Sequence, residues 1–153
     1  MPQTETPPVV VQQQVDVVQA AATPIEEPEV EQVTISISCV TILDNMDKFK
    51  KTDLLPANGM ILSTNNVEFY EGLTVFDCLK SVAEENNVVL KYKSFPSVYL
   101  EEIAGIGEFD CGSASGWQYR VNGQIPSQGV GAYKLNSGDK IEILYTCDLG
   151  KDL

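Results

Sequence analysis

Two alternating runs, one near each end of the chain, constrain the fold more than any other feature. Positions 33–39 read VTISISC, with Val33, Ile35, Ile37 and Cys39 apolar and Thr34, Ser36 and Ser38 polar between them. Positions 140–147 read KIEILYTC, where Ile141, Ile143, Tyr145 and Cys147 keep the same phase. Successive side chains of a strand point to opposite faces, so each run predicts a strand buried on one face. At Cys39-Val40 the phase of the first run changes, which predicts a bulge or bend.

Between these runs lies one clear helix, predicted over 75–86. Thr74 is suited to cap it, with Asp77 at the third position as a shorter stand-in for the usual Glu. Val75, Cys78, Leu79, Val82 and Ala83 share one apolar face, and Asn86-Asn87 supplies a stop. Further strands are predicted at 59–62, 67–70, 88–93, 98–103 and 116–121. Asn122-Gly123 is a strong two-residue hairpin turn, because both positions of a type I′ turn need positive φ. Residues 44–58 read as an exposed loop whose Lys48, Lys50 and Lys51 form a solvated face. The fold class is α+β, one main helix on a mixed sheet.

Residues 1–32 carry five prolines and six acids without a base, and read as a disordered acidic Pro/Gln-rich linker. A folded domain follows over 33–153. The whole chain of 153 residues has a net charge of −12 and no basic patch, which argues against nucleic acid and against an anionic membrane surface. No apolar run approaches the length that spans a bilayer. No signal peptide is visible, so the sequence reads as an intracellular protein or as a processed form.

The chain has no His, which removes the commonest general base and the commonest transition-metal ligand. Its four cysteines form no C-x-x-C motif, so no metal site is expected. Four buried thiols and two disulfides both fit this pattern. Cys39 lies six residues after Val33 and Cys147 six after Ile141. If the first and last strands run parallel and adjacent, the two cysteines arrive level, which predicts Cys39–Cys147 and leaves Cys78 to pair with Cys111. Two disulfides imply an oxidising compartment.

The stretch 109–133, FDCGSASGWQYRVNGQIPSQGVGAY, holds the only Trp and five glycines. It combines flat aromatic faces with open backbone, as binding sites favour. It lacks G-K-[ST] and opens no helix, so it is not a phosphate loop. Glu101 and Glu102 are strand neighbours pointing to opposite faces, and Asp110 reads as a turn acid. No acid pair is placed for glycosidase chemistry. The chain is therefore expected not to be an enzyme.

The ordered series FYEGLTVFDCLK, GW-x-Y-x-VNG, GV-x-x-Y and L-x-x-GD-x-I resembles the C-terminal β-domain of transcobalamin and intrinsic factor. It is similar also to the bacterial secreted domains grouped with them as transcobalamin-like C-terminal domains. The resemblance covers about 33–148. It implies a β-grasp-like fold with first and last strands as parallel neighbours. Carried over by position, it places Trp117, Gln118, Tyr119, Asn122, Gly129, Val130 and Tyr133 at a ligand-facing region, which the expected Cys78–Cys111 pairing would anchor to the helix.

The implied function is a non-catalytic ligand-binding module of an extracytoplasmic, cell-surface or secreted bacterial protein. It has no intrinsic cofactor, and its ligand is cobalamin, another corrinoid or another small molecule. The alternative is a structural or adhesive module binding a surface protein or glycan. A monomer is expected.

Overall fold

The first alternating run forms β1 (Gln32–Ser38), and the last forms β7 (Lys140–Thr146). The computed structural model in which they are seen describes residues 30–153. The acidic Pro- and Gln-rich linker predicted over 1–32 thus lies outside the described residues up to position 29.

β1 pairs in parallel with β7 and antiparallel with β2 (Met60–Glu68), and β7 pairs antiparallel with β6 (Gly116–Val121). The sheet order is β2-β1-β7-β6. A second, three-stranded sheet holds β3 (Leu90–Lys93), β4 (Tyr99–Ile103) and β5 (Ile106–Gly107). Among the described residues the architecture is α+β, with one α-helix, a mixed sheet and parallel first and last strands.

The main core forms where α1 (Val75–Glu85) lies on the inner face of the larger sheet. Val75, Cys78, Leu79 and Val82 meet Val33, Ile35 and Ile37 of β1 and Ile141 and Ile143 of β7, all of them buried. Each such aliphatic side chain contributes roughly 1.5–3 kcal/mol on burial. The predicted cap is present in full. Asp77 N–H donates to Thr74 Oγ1 at 3.1 Å, and Thr74 N–H donates to Asp77 Oδ2 at 3.2 Å. Asn87, at φ 57°, provides the left-handed stop.

Three predicted details are sharpened or corrected. The segments 59–62 and 67–70 belong to one strand, β2. Its polar middle, Ser63 to Asn66, is tolerated because β2 is an edge strand, and its register with β1 slips between Ile35 and Ile37. The phase change after Cys39, predicted as a bulge or bend, is a bend built as a 3-10 turn over Val40–Asp44. The Asn122-Gly123 turn forms, with φ of 54° and 85°, but it returns only one residue pair, Val121 with Gln124, and no second strand.

The predicted disulfides are not present: all four cysteines are buried free thiols. Two physical reasons account for this. The β1/β7 register pairs Ile35 with Ile141 and Ile37 with Ile143, an offset of 106. At that offset Cys147 is level with Thr41, not with Cys39, and Cys147 Sγ indeed lies 3.8 Å from Thr41 Oγ1. Cys78 belongs to the main core beneath the helix. Cys111 instead joins Cys39 and Cys147 in a separate small core with Ile42, Phe49, Ile106 and Tyr145.

Candidate functional site

β6 is the last strand of its sheet, and its free edge organises the candidate site. Asn122 N–H donates to Lys140 O at 2.8 Å. Antiparallel bonding alternates along the ladder, so Gly116, Gln118 and Arg120 also bond to β7. The backbone N–H and C=O groups of Trp117 and Tyr119 therefore face outward. Among the described residues they have no backbone partner.

This edge opens on a groove of about 140 Å³. Five of the predicted residues converge there: Trp117, Gln118, Tyr119, Gly129 and Val130. The facing wall, Val98, Tyr99 and Leu100 at the start of β4, is not visible from the sequence. A second depression of about 180 Å³ adjoins it and shares Tyr99, Trp117 and Gln118. It adds Glu108, Phe109 and Leu149, of which Phe109 is 61% and Leu149 68% exposed. Their apolar exposure beside a tryptophan would have been a clue, but only once the strand order was known.

Trp117 is half-buried and rigidly held. Its Nε1–H donates to Ile106 O at 2.8 Å, and its ring meets Tyr145 edge-on at 5.1 Å. Tyr145 in turn donates its hydroxyl to Gly107 O at 2.7 Å. The polar tip of Trp117 thus points inward, and only ring surface is offered to the groove. Tyr119 is a core residue, buried, with its hydroxyl donating to Gln128 O and its ring edge-on to Tyr133 at 6.3 Å. Burial pushes its phenol upward in pKa, with the neighbouring Tyr133 adding to the shift. Tyr99, at the groove mouth, donates to the Glu108 carboxylate, and that bond first, then burial, raises its pKa to about 12.

The segment holding Gly129, Val130 and Tyr133 is anchored by the helix, though not through a disulfide. Val75 N–H donates to Tyr133 O at 3.2 Å, and Phe76 N–H donates to Val130 O at 3.0 Å. These are first-turn amides that the helix itself leaves unpaired. The loop carbonyls satisfy them and fix the groove wall in the same step. Gly131 lets the loop approach β4 closely, since a Cβ there would lie 2.7 Å from Val98 Cγ2.

Two predicted site residues fall elsewhere. Asn122 is turned into the scaffold: its Nδ2 donates to Asp139 Oδ1 and its Oδ1 accepts from Lys140 N–H, both at 2.9 Å. It joins the two turns at the far end of β6. Tyr133 stands behind Tyr119 and does not line the groove.

Two charged residues also have different surroundings from those predicted. Lys51 is an anchor and not part of a solvated face. It pairs with Asp110 at 2.9 Å and Glu102 at 3.6 Å and donates to Gly105 O at 2.8 Å. Asp110 is half-buried in that pair and also accepts from Gly107 N–H at 2.7 Å. Among the described residues no group of three or more His, Cys, Asp or Glu side chains is placed to hold a metal ion, and no helix is long and apolar enough to cross a membrane.

A family model described as Domain of unknown function (DUF4430) matches residues 72–146. No curated protein matches the chain. Among solved structures, haptocorrin in complex with Cbi is similar at a TM-score of 0.51 and 15% identity over 81% of this chain. The chain spans 27% of the length of that haptocorrin chain. A protein from Ruminococcus gnavus ATCC 29149, named for a proposed metal-binding role, aligns at a TM-score of 0.45 and 13% identity over 76% of this chain and 96% of its own. At 15% identity the likeness to haptocorrin is one of fold. The resemblance read from the sequence is supported coarsely, as a likeness of fold.

Proposed function

We propose that the domain is a non-catalytic ligand-binding module, and that the free edge of β6 with Trp117 is its binding edge. The carrying observation is the convergence of Trp117, Gln118, Tyr119, Gly129 and Val130 on one groove with outward-facing backbone. Grooves of about 140 and 180 Å³ are smaller than the roughly 300–1,000 Å³ that enclose a drug-sized ligand. The domain therefore grips one side of its ligand, and a second surface covers the other.

A corrinoid is the ligand class favoured. The β-grasp-like reading of the fold supports it, as does the likeness to 27% of haptocorrin, a protein solved with Cbi bound. An extracytoplasmic location, as the resemblance implies, belongs to the same proposal. A non-catalytic role fits the absence of His and the state of the thiols. Burial first pushes Cys39 up to about 11 and Cys78 and Cys111 up to about 12, which keeps them protonated and poorly nucleophilic at neutral pH.

The test is a titration with cyanocobalamin and, separately, with dicyanocobinamide. It is followed by corrin absorption and by fluorescence of Trp117, the single tryptophan. Saturable quenching in the micromolar range, lost in Val98→Trp, which fills the groove, is expected. No change at high micromolar ligand would refute a corrinoid. A second reading, an adhesive module for a surface protein, is favoured by one observation: unpaired backbone at Trp117 and Tyr119 suits a strand added by a partner.

A further inference from the structure

The thiols of the small core carry an inference separate from the binding edge. Cys111 and Cys147 are 36 positions apart in sequence, yet Cys147 Sγ lies 3.3 Å from Cys111 Sγ. Cys39 shares that core but makes no sulfur–sulfur hydrogen bond, and Cys78 belongs to the other core. A depression of about 560 Å³ reaches this pair, lined by Cys111, Cys147, Lys48, Gly112, Ser113 and Asp148 among others. Cys147 is 6% exposed and Cys111 fully buried, so a reagent entering there meets Cys147 first.

We propose that Cys111 and Cys147 are a built oxidation site, which a small-molecule disulfide such as oxidised glutathione converts to a cross-link while Cys39 and Cys78 remain thiols. Cys147 gives up its proton, and its thiolate attacks one sulfur of oxidised glutathione. That S–S bond breaks, and the first glutathione leaves as a thiolate that takes up a proton. Once Cys147 is bound to glutathione it no longer sets a charge or a hydrogen bond against Cys111, so at alkaline pH the Cys111 thiol gives its proton to solvent and attacks the Cys147 sulfur 3.3 Å away, and the second glutathione leaves as a thiolate that takes up a proton. Two cysteine thiols are oxidised and one glutathione disulfide is reduced to two thiols. Lys48, at the rim, offers a cation to the carboxylates of glutathione, facing Asp148 and Asp152 across the depression, the second of which accepts from Cys147 N–H.

The bond closes a loop that contains all of β6 and the segment with Gly129 and Val130. It ties the base of the stretch bearing Phe109 and Trp117 to the end of β7. Because Trp117 packs against the same small core, its emission reports the event.

To test this, the reduced full chain is incubated with excess oxidised glutathione at mildly alkaline pH, then alkylated with N-ethylmaleimide and mapped by mass spectrometry. Alkylated thiols should fall from four to two, with Cys111 and Cys147 in one linked peptide and a shift in Trp117 emission. The link should persist in Cys39→Ala and Cys78→Ala and vanish in Cys147→Ala. Four alkylated thiols at the highest oxidant, or a link mapping to Cys39 or Cys78, would overturn the assignment. The mapping on the unaltered chain needs no variant, so a poorly folding substitution does not blunt the test.

Discussion

Placing Ala at Gly131 tests whether the loop and β4 meet as closely as described. Gly131 does not have a positive φ, so an Ala suits its backbone and by itself would add about 0.4–1 kcal/mol through the unfolded chain. The new Cβ, however, would lie 2.7 Å from Val98 Cγ2 and 3.1 Å from Val98 Cβ. Relieving that clash means moving Val98 or the loop, and overpacking of this kind costs roughly 1–3 kcal/mol. The net expectation for Gly131→Ala is a loss of about 1–2 kcal/mol.

Val98→Ala alone removes two methyls from a half-buried site, about 1 kcal/mol. In that background the 2.7 Å contact is gone and only the 3.1 Å approach to the Cβ remains, so Gly131→Ala should be close to neutral, within about 0.5 kcal/mol. The coupling between the two sites is then roughly 1–2 kcal/mol, within the range for touching residues. Urea unfolding of the four proteins measures it, with unchanged m-values as the check on two-state behaviour. Equal effects of Gly131→Ala in both backgrounds would refute the close wall.

Thr74→Ala should cost about 1 kcal/mol by removing the acceptor for Asp77 N–H, read in the same denaturation assay. Tyr145→Phe should cost about 0.5–1.5 kcal/mol, since Gly107 C=O loses one of two donors and keeps Asp110 N–H, and it should broaden Trp117 emission. Alkaline pH should weaken the fold through its buried acids. Burial raises Cys78 to about 12 and Tyr145 to about 12, so the fold favours their neutral forms. That contribution is whole below their unfolded values and is lost as pH climbs towards 12. Stability should hold to about pH 8.5 and then decline, and Cys78→Ala should lower the slope by about 1.4 kcal/mol per pH unit near pH 10. An unaltered slope in Cys78→Ala would contradict this.

What the sequence made legible is what local chemistry decides. The Thr74–Asp77 cap, the apolar face of the helix and the positive φ at Asn122-Gly123 depend on neighbours in the chain, and each is found where its residues call for it. Alternation alone also told which faces of the two end strands are buried. Register was not legible: counting six residues from Val33 and from Ile141 assumed that those two are level, whereas Ile35 is level with Ile141. A two-residue slip preserves every inward face, so the hydrophobic pattern cannot detect it, yet it brings Cys147 level with Thr41 and not with Cys39.

The groove was half legible. Trp117, Tyr119 and Gly129 stand out by type, but Val98 to Leu100 join them only because a second sheet folds over the edge of β6. Asn122 misled because a good turn residue also looks like an exposed polar ligand, and its carboxamide is used up holding Asp139 and Lys140. Lys51 looked like one of three solvated lysines, and only the fold reveals Asp110 beside it.

The central claim is that the free edge of β6 is where this domain meets its ligand. An amide-resolved NMR titration of the chain with dicyanocobinamide tests it most directly. Saturable shifts are expected at Trp117, Gln118 and Tyr119 and at Gly129 and Val130, with Asn122 and the helix surface unmoved. Shifts absent throughout, or confined to residues away from this edge, would contradict it.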